Sequence, residues 1–153
     1  MIKKIGVGIG ILWLLGSVGS AFSKSNPPVE NQVKWDSKKT EELFYRACAD
    51  CHSHETKWPW YSNIAPVSFP VIHHVNEGRE HFNISAKNMG ESYEAAEELE
   101  EGEMPESSYL IMHPEADLST EEKKLLIAGL KKTFGTEDEH EHDHKHKKHD
   151  PDH

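Results

Sequence analysis

The sequence predicts a small all-α domain whose helices are joined by long loops. Two capped segments, near residues 36–49 and 119–134, carry apolar residues at helical spacing. Between them, residues 53–85 contain three prolines, which interrupt any long helix. A chain of 153 residues favours one domain with tails, and a hydrophobic fraction of only 35% leaves little for an aliphatic core.

The first helix is expected to begin at an N-cap, Asp36 or Ser37, and to run to about Ala49. Its apolar face consists of Leu43, Phe44, Ala47 and Cys48. If the helix continues for another turn, one face is shared by Phe44, Cys48, Cys51 and His52.

The last helix begins with a capping box, because Ser119 stands three residues before Glu122. Gly135 is expected to end it. Its buried residues are expected to be Leu126, Ile127, Leu130 and Phe134. Two shorter helices are predicted between the long ones, near residues 71–81 and 92–100.

The strongest motif lies at residues 48–52, which spell C-x-x-C-H and contain both cysteines of the chain. This spacing is the attachment signature of c-type haem. Cys48 and Cys51 can each form a thioether with a porphyrin vinyl group, and His52 can coordinate the iron. The alternatives fit less well. A thioredoxin-like redox dithiol would be expected within a βαβ pattern, and a structural zinc site would require a second pair of ligands. A disulfide between the two cysteines would close so short a loop that it would stabilise the fold very little.

Haem iron in an electron-transfer protein usually has a second protein ligand, and a methionine in that position raises the reduction potential. Met104 is the first candidate, because Pro105 stiffens the loop that presents its sulfur. A methionine that simply fills a core gap is the common alternative. An open coordination position is another, and the rival side chains are Met112, His73, His74, His81 and His113.

The N-terminal segment predicts where the protein is located. Residues 1–22 join two lysines to an uncharged apolar run, which is typical of a signal peptide or an N-terminal membrane anchor. Small residues at 19–21 favour the cleaved form. Either form predicts export to the periplasm or to the periplasmic face of the bacterial inner membrane, which suits c-type haem. Residues 23–35 then form a linker, and 36–135 the domain.

Charge limits the partners. A formal net charge of −10 disfavours nucleic acid and favours a basic redox partner protein. The glutamates between residues 91 and 106 form either an acidic rim that steers such a partner or a solvated helix face. Residues 136–153 are predicted to be a disordered tail, either solubilising or able to capture Zn, Cu or Ni. The candidate ligands in that tail are His140, His142, His144 and His146.

The order of these features resembles the class I cytochrome c plan over about residues 36–134: C-x-x-C-H near the end of an N-terminal helix, a Met-Pro loop, then a C-terminal helix. The strings at residues 51–62, 76–83 and 112–116 resemble the bacterial haem-binding domain family, whose members are small, exported and often membrane-anchored. The histidine-rich extension is not part of that pattern.

The resemblance implies a cytochrome c-like domain wrapped around one covalently attached haem. Cys48 and Cys51 would be the thioether positions, His52 the proximal ligand and Met104 the distal one. The expected function is one-electron transfer, and no nucleophilic or proton-abstracting constellation predicts an enzyme. The alternatives are a haem-based sensor or peroxidase-like protein with a displaceable distal ligand, or a metal-binding envelope protein that acts through its tail.

Overall fold

The computed structural model describes residues 24–137 and 139, and these form helices joined by loops. The α-helices are α1 (Lys38–Ala47), α2 (Ala49–His52), α3 (Ser68–His81), α4 (Ala95–Glu101), α5 (Ser107–Leu110) and α6 (Thr120–Phe134). Short 3₁₀ turns span Trp60–Asn63, Ser92–Glu94 and Pro114–Ala116. The described residues contain no β-strand beyond one bridge between Phe82 and Gly90, and the predicted all-α class is confirmed.

The junction of α1 and α2 differs in detail from the prediction. Ser37 caps α1, with its side chain accepting a hydrogen bond from a backbone N–H of the first turn. The helix ends at Ala47 because Cys48 leaves helical geometry, with φ −124° and ψ −35°. The Cys48 N–H nevertheless donates to the Phe44 carbonyl, and the His52 N–H donates to the Cys48 carbonyl. The chain therefore keeps a helical course into the C-x-x-C-H motif.

The two intermediate helices lie close to their predicted positions. α3 starts three residues before the predicted range 71–81 and includes Pro70, which is tolerated because the first turn of a helix has no partner for that N–H. The predicted range 92–100 begins as a 3₁₀ turn and continues as α4. Gly102 ends α4 with φ +83°, a conformation that favours glycine.

The C-terminal helix α6 has the predicted capping box between Ser119 and Glu122, and Gly135 ends it. Its crossing with α1 depends on Gly129. A Cβ at that position would lie 2.6 Å from Cγ2 of Thr40, which is closer than side-chain atoms approach. The two helices can pack at this distance only because residue 129 has no side chain.

The core combines aliphatic and aromatic side chains. Leu126 and Leu130 are buried on the inner face of α6, whereas the predicted core residues Ile127 and Phe134 are only partly buried. Ring centroids are 5.0 Å apart for Trp35–Phe44, 5.3 Å for Phe82–Phe134, 5.7 Å for Trp35–Phe134 and 5.8 Å for Phe44–Phe82. The rings of this cluster meet tilted or edge to face, as aromatic side chains prefer, and they pack against the aliphatic residues of the core. The cluster consists of Trp35, Phe44, Phe82 and Phe134.

Residues 24–35 have no helix or strand, and hydrogen bonds hold them on the surface of the domain. Arg79 donates to Oδ1 of Asn26 at 3.0 Å. The N–H of Glu30 donates to the Ser85 carbonyl at 2.8 Å. The sequence of residues 24–35 itself does not predict these hydrogen bonds to the domain.

No helix among residues 24–137 and 139 is long and apolar enough to cross a bilayer. The predicted signal or anchor, residues 1–22, and the predicted tail ligands His140, His142, His144 and His146 lie outside the described residues. These two predictions stay predictions.

Candidate functional site

A cavity of about 620 Å³ opens between α2, α3, α4 and the loop that follows α4. Its apolar wall includes Phe44, Val75, Phe82, Leu99 and Leu130. The volume lies within the range of roughly 300–1,000 Å³ that is usual for pockets holding small molecules and cofactors. Because Phe44 and Phe82 also belong to the aromatic core, the cavity continues that core.

Cys48 and Cys51 both line this cavity as free thiols. Burial raises the pKa of Cys48 to about 12. Burial, with the negative charges of Asp50 and Glu106, raises the pKa of Cys51 to about 11. Reactive redox dithiols act as thiolates, so these protonated thiols argue against a redox dithiol. No group of three or more His, Cys, Asp or Glu side chains among the described residues is arranged to hold a metal ion.

His52 presents one ring nitrogen and has the other tied down. Its Nδ1 lies 3.1 Å from the carbonyl oxygen of Gly78 and 3.0 Å from that of Phe82. A carbonyl oxygen can only accept, so Nδ1 carries the proton and Nε2 keeps its lone pair. Burial lowers the pKa of His52 despite these hydrogen bonds, which favours the neutral ring. A neutral imidazole with Nδ1–H bonded to a carbonyl is the usual arrangement of a metal-ligating histidine.

The close crossing of α2 and α3 positions this histidine. A Cβ at Gly78 would lie 3.0 Å from both the Cβ and the carbonyl oxygen of Cys51, tighter than nearly all real Cβ contacts. Glycine therefore lets the last turn of α3 press against the C-x-x-C-H segment. The same contact brings the Gly78 carbonyl to His52.

Arg79, which follows Gly78 in α3, holds the loop after the C-x-x-C-H motif in place. Its Nε donates to the Ser53 carbonyl at 2.8 Å, and one terminal nitrogen donates to Oγ1 of Thr56 at 2.8 Å. The same guanidinium also reaches Ser25 and Asn26 in the N-terminal segment. One side chain on α3 thus holds two loops beside the motif.

Met104 lines the same cavity as Cys48, Cys51 and His52, so the structure brings together all four predicted haem residues. After Gly102 ends α4, the N–H groups of Glu103 and Met104 both donate to the Glu98 carbonyl, at 3.0 and 3.2 Å. These bonds turn the loop toward the cavity, and the Met104 side chain is half-buried there.

The rival ligands are distributed unevenly. His73 does not line the cavity, whereas Met112 does and is 52% exposed. His113 has both ring nitrogens engaged, Nε2 with the hydroxyl of Tyr61 and Nδ1 with Glu115. The two remaining cavity histidines each have Nδ1 paired with a glutamate, and they are His74 and His81. These pairs leave Nε2 free in both rings, but the His81 side chain is 75% exposed, so Met104 stays the first candidate and His74 is its main rival.

A family model described as a haem-binding domain matches residues 13–132. This chain belongs to the haem-binding domain family. No curated protein and no solved structure is significantly similar to it. The protein is therefore a haem-binding protein, and the cavity is called the haem cavity below.

The residues of the haem cavity fit this cofactor. A porphyrin is a large apolar plate, and the cavity offers a broad apolar wall backed by aromatic rings. An imidazole binds iron through an unprotonated nitrogen, and His52 has the tautomer that leaves Nε2 available.

The aromatic side chains that follow the C-x-x-C-H motif lie in different surroundings. Tyr61 lines the cavity, whereas Trp60 is 71% exposed and Trp58 donates through Nε1 to Asn26. Sequence reasoning missed Tyr109, whose ring stacks on that of His113 with centroids 4.2 Å apart. The only available signal was the four-residue spacing to His113.

Glutamates form part of the cavity wall. Five line it, while four of the acidic residues grouped by the sequence around Met104 do not. The five are Glu77, Glu91, Glu94, Glu98 and Glu106, and the four are Glu97, Glu100, Glu101 and Glu103. The predicted acidic cluster is thus divided between the haem cavity and the outer surface.

Proposed function

We propose that this protein is a c-type haem protein that transfers single electrons in the bacterial cell envelope. The observation that carries the proposal is that His52 and both thiols line one cavity, with Nδ1 of His52 tied to two carbonyls and Nε2 left for iron. Haem binding follows from the family. Covalent attachment and electron transfer are the further steps proposed here.

Covalent attachment is supported by the two cysteines. Each thiol would add across one vinyl group, with sulfur bonding to one carbon and hydrogen passing to the other, so no oxidant is needed. Cys48 forms the α1–α2 junction, Cys51 lies within α2, and both line the cavity, as two anchor points for one porphyrin would require.

Electron transfer is supported by the two candidate ligands. A bound haem supplies a one-electron ferric/ferrous couple, and a methionine–histidine ligand pair raises its potential. His52 and Met104 come from different segments that face one cavity, so together they would leave no coordination position for a substrate. Burial of the wall residues excludes water and further tunes the potential.

The acidic part of the cavity wall supports a basic redox partner. Opposite charges around two redox sites increase the rate of association and orient the encounter. We expect the electron-transfer rate with a basic acceptor to fall steeply as salt is added, because salt screens exposed charges. A rate that does not change with salt would contradict steering by the glutamates.

Export remains a proposal from residues 1–22, and it suits covalent haem because attachment of that kind takes place outside the cytoplasm. Fractionation of cells followed by intact-mass analysis of the mature protein tests both points. Protein in the periplasm that lacks about the first 22 residues indicates a cleaved signal, and full-length protein in the inner membrane indicates an anchor. Recovery in the cytoplasm contradicts export.

Optical spectroscopy tests the proposal as a whole. The protein, purified from a host that attaches c-type haem, should give a pyridine haemochrome spectrum of the thioether type and a reversible one-electron titration. A Cys48→Ala, Cys51→Ala double variant should give the vinyl type if it binds haem at all. A vinyl-type spectrum from the wild-type protein would contradict covalent attachment, and an irreversible couple would contradict electron transfer.

A further inference from the structure

The wall of the haem cavity beside Cys51 carries a connected set of polar side chains that the proposed function does not use. The Tyr61 hydroxyl lies 2.8 Å from Nε2 of His113, and Nδ1 of His113 lies 3.1 Å from a carboxylate oxygen of Glu115. Tyr61 and His113 both line the cavity, whereas Glu115 stands behind them. The ring of His113 is held by its stack on Tyr109.

Charge divides the cavity into two parts. Lys57 is the one lysine or arginine among the described residues that line it, and its charge adds to the hydrogen bonds that lower the pKa of the Glu115 carboxyl. Asp50 is also on this wall, and its carboxylate already accepts hydrogen bonds from the Lys57 N–H at 2.9 Å and the Tyr109 hydroxyl at 2.8 Å. The other acidic lining residues are Glu77, Glu91, Glu94, Glu98 and Glu106.

We propose that Lys57, Tyr61 and His113 form the subsite that receives the haem propionates. Haem carries two propionate carboxylates. Placing them beside the glutamates of α4 would bring like charges together, which is unfavourable, whereas the opposite placement brings them near the positive charge of Lys57. Lys57 and a hydroxyl donor offer charge-assisted hydrogen bonds to a carboxylate instead. The haem is thereby oriented with its acidic edge toward the turn Trp60–Asn63.

The hydrogen-bond directions are consistent with this assignment. The Glu115 carboxylate can only accept, so Nδ1 of His113 donates to it and Nε2 faces the Tyr61 hydroxyl. The Tyr61 hydroxyl can turn its proton from Nε2 of His113 to a propionate oxygen. The inference rests on the haem site of the proposed function but not on electron transfer or on thioether bonds.

Nuclear magnetic resonance of the ferrous holoprotein tests the orientation directly. We expect nuclear Overhauser effects from the propionate methylene protons to the Tyr61 ring and the Lys57 side chain. Effects to Glu91, Glu94 or Glu98 in their place would overturn the inference. Since the measurement needs only bound haem, a protein that binds haem without thioethers contradicts the proposed attachment while still answering this question.

A Tyr61→Phe variant tests the hydrogen bond, because it removes only the hydroxyl and keeps the ring that contacts Trp60. The propionate bending bands in resonance Raman spectra should shift in this variant. The matched control is Tyr45→Phe, since the Tyr45 hydroxyl donates to Glu55 at 2.7 Å and the residue does not line the cavity. Bands that stay in place in Tyr61→Phe, or that move equally in the control, would contradict the role of Tyr61.

Discussion

His52 and Met104 reach the haem cavity from segments that are held in place differently. On the proximal side, formed by α2 and α3, the His52 ring has two backbone partners and the Arg79 guanidinium secures two neighbouring loops. On the distal side, in the loop at residues 102–106 between α4 and α5, Met104 has its backbone N–H bonded to the Glu98 carbonyl. An ion pair of 2.9 Å between Glu106 and His74 is the loop's tie to α3, and both side chains are over 40% exposed.

The segment that carries His52 is therefore held more firmly than the segment that carries Met104. In the proposed complex, the densely hydrogen-bonded His52 would hold the iron on one side, and Met104, on a lightly held loop, would coordinate it on the other. Local opening starts where exposed contacts hold the chain and few buried ones do. The distal ligand is therefore the one that a change in sequence or ligand would displace first.

The largest effect is expected from Gly78→Val, which places a branched side chain against Cys51. Overpacking of this kind costs about 1–3 kcal/mol, and here the displaced helix also carries the carbonyl partners of His52. Urea unfolding of the holoprotein should show a clearly lower midpoint together with an altered haem spectrum. The control is Gly102→Ala, where no atom lies within 4 Å and only the positive φ is penalised, at about 1 kcal/mol. Equal effects of the two changes would contradict a tight α2–α3 contact.

A smaller effect is expected from Arg79→Lys. Lysine keeps the charge but cannot reproduce the fork that reaches Ser53, Thr56 and Asn26, so roughly 1–3 kcal/mol of unfolding free energy should be lost. Arg46→Lys is the matched change at an ion pair with Glu122 on the opposite side of α1, and there less than about 1 kcal/mol is expected. An unchanged free energy of unfolding in the Arg79→Lys variant would show that other contacts hold the loops.

Carbon monoxide binding to the ferrous protein separates electron transfer from sensing or peroxidase-like chemistry. The wild-type protein should bind the gas slowly, because Met104 must first leave the iron. Met104→Ala should bind at once, and the control Met112→Ala should behave like the wild type, although Met112 also lines the cavity. Immediate binding by the wild-type protein would favour the sensor or peroxidase alternative.

The finest test of the distal side is Glu106→Gln. Loss of an exposed ion pair should cost under about 1 kcal/mol of stability, yet the loop that presents Met104 should open more often. We expect a severalfold faster reaction with carbon monoxide. Glu42→Gln removes a similar exposed pair with Lys39 on α1, where neither residue lines the cavity, and should leave the rate unchanged. The same rate in all three proteins would show that the pair does not hold the loop.

The features that could be predicted from the sequence are those written in a few adjacent residues. The C-x-x-C-H spacing, the capping box at Ser119 and the glycine that ends α4 each carry their own signal. Each depends on backbone geometry within one helical turn, so it requires no knowledge of the tertiary contacts.

The features that could not be predicted depend on contacts between distant segments. The Nδ1 partners of His52 are 26 and 30 residues away, and the hydroxyl of Tyr109 reaches Asp50 across 59 residues. Gly78 and Arg79 gain their roles only when α3 meets α2. Met104 was predicted from its neighbouring proline, and the structure adds the cavity that it faces.

Peptide mass mapping of the mature protein, purified from a host that attaches c-type haem, tests the central claim most directly. After digestion and acid–organic extraction, the peptide that contains Cys48, Cys51 and His52 should retain the mass of one haem, and the organic phase should be colourless. A coloured organic phase, with both cysteines recovered as free thiols, would contradict the account.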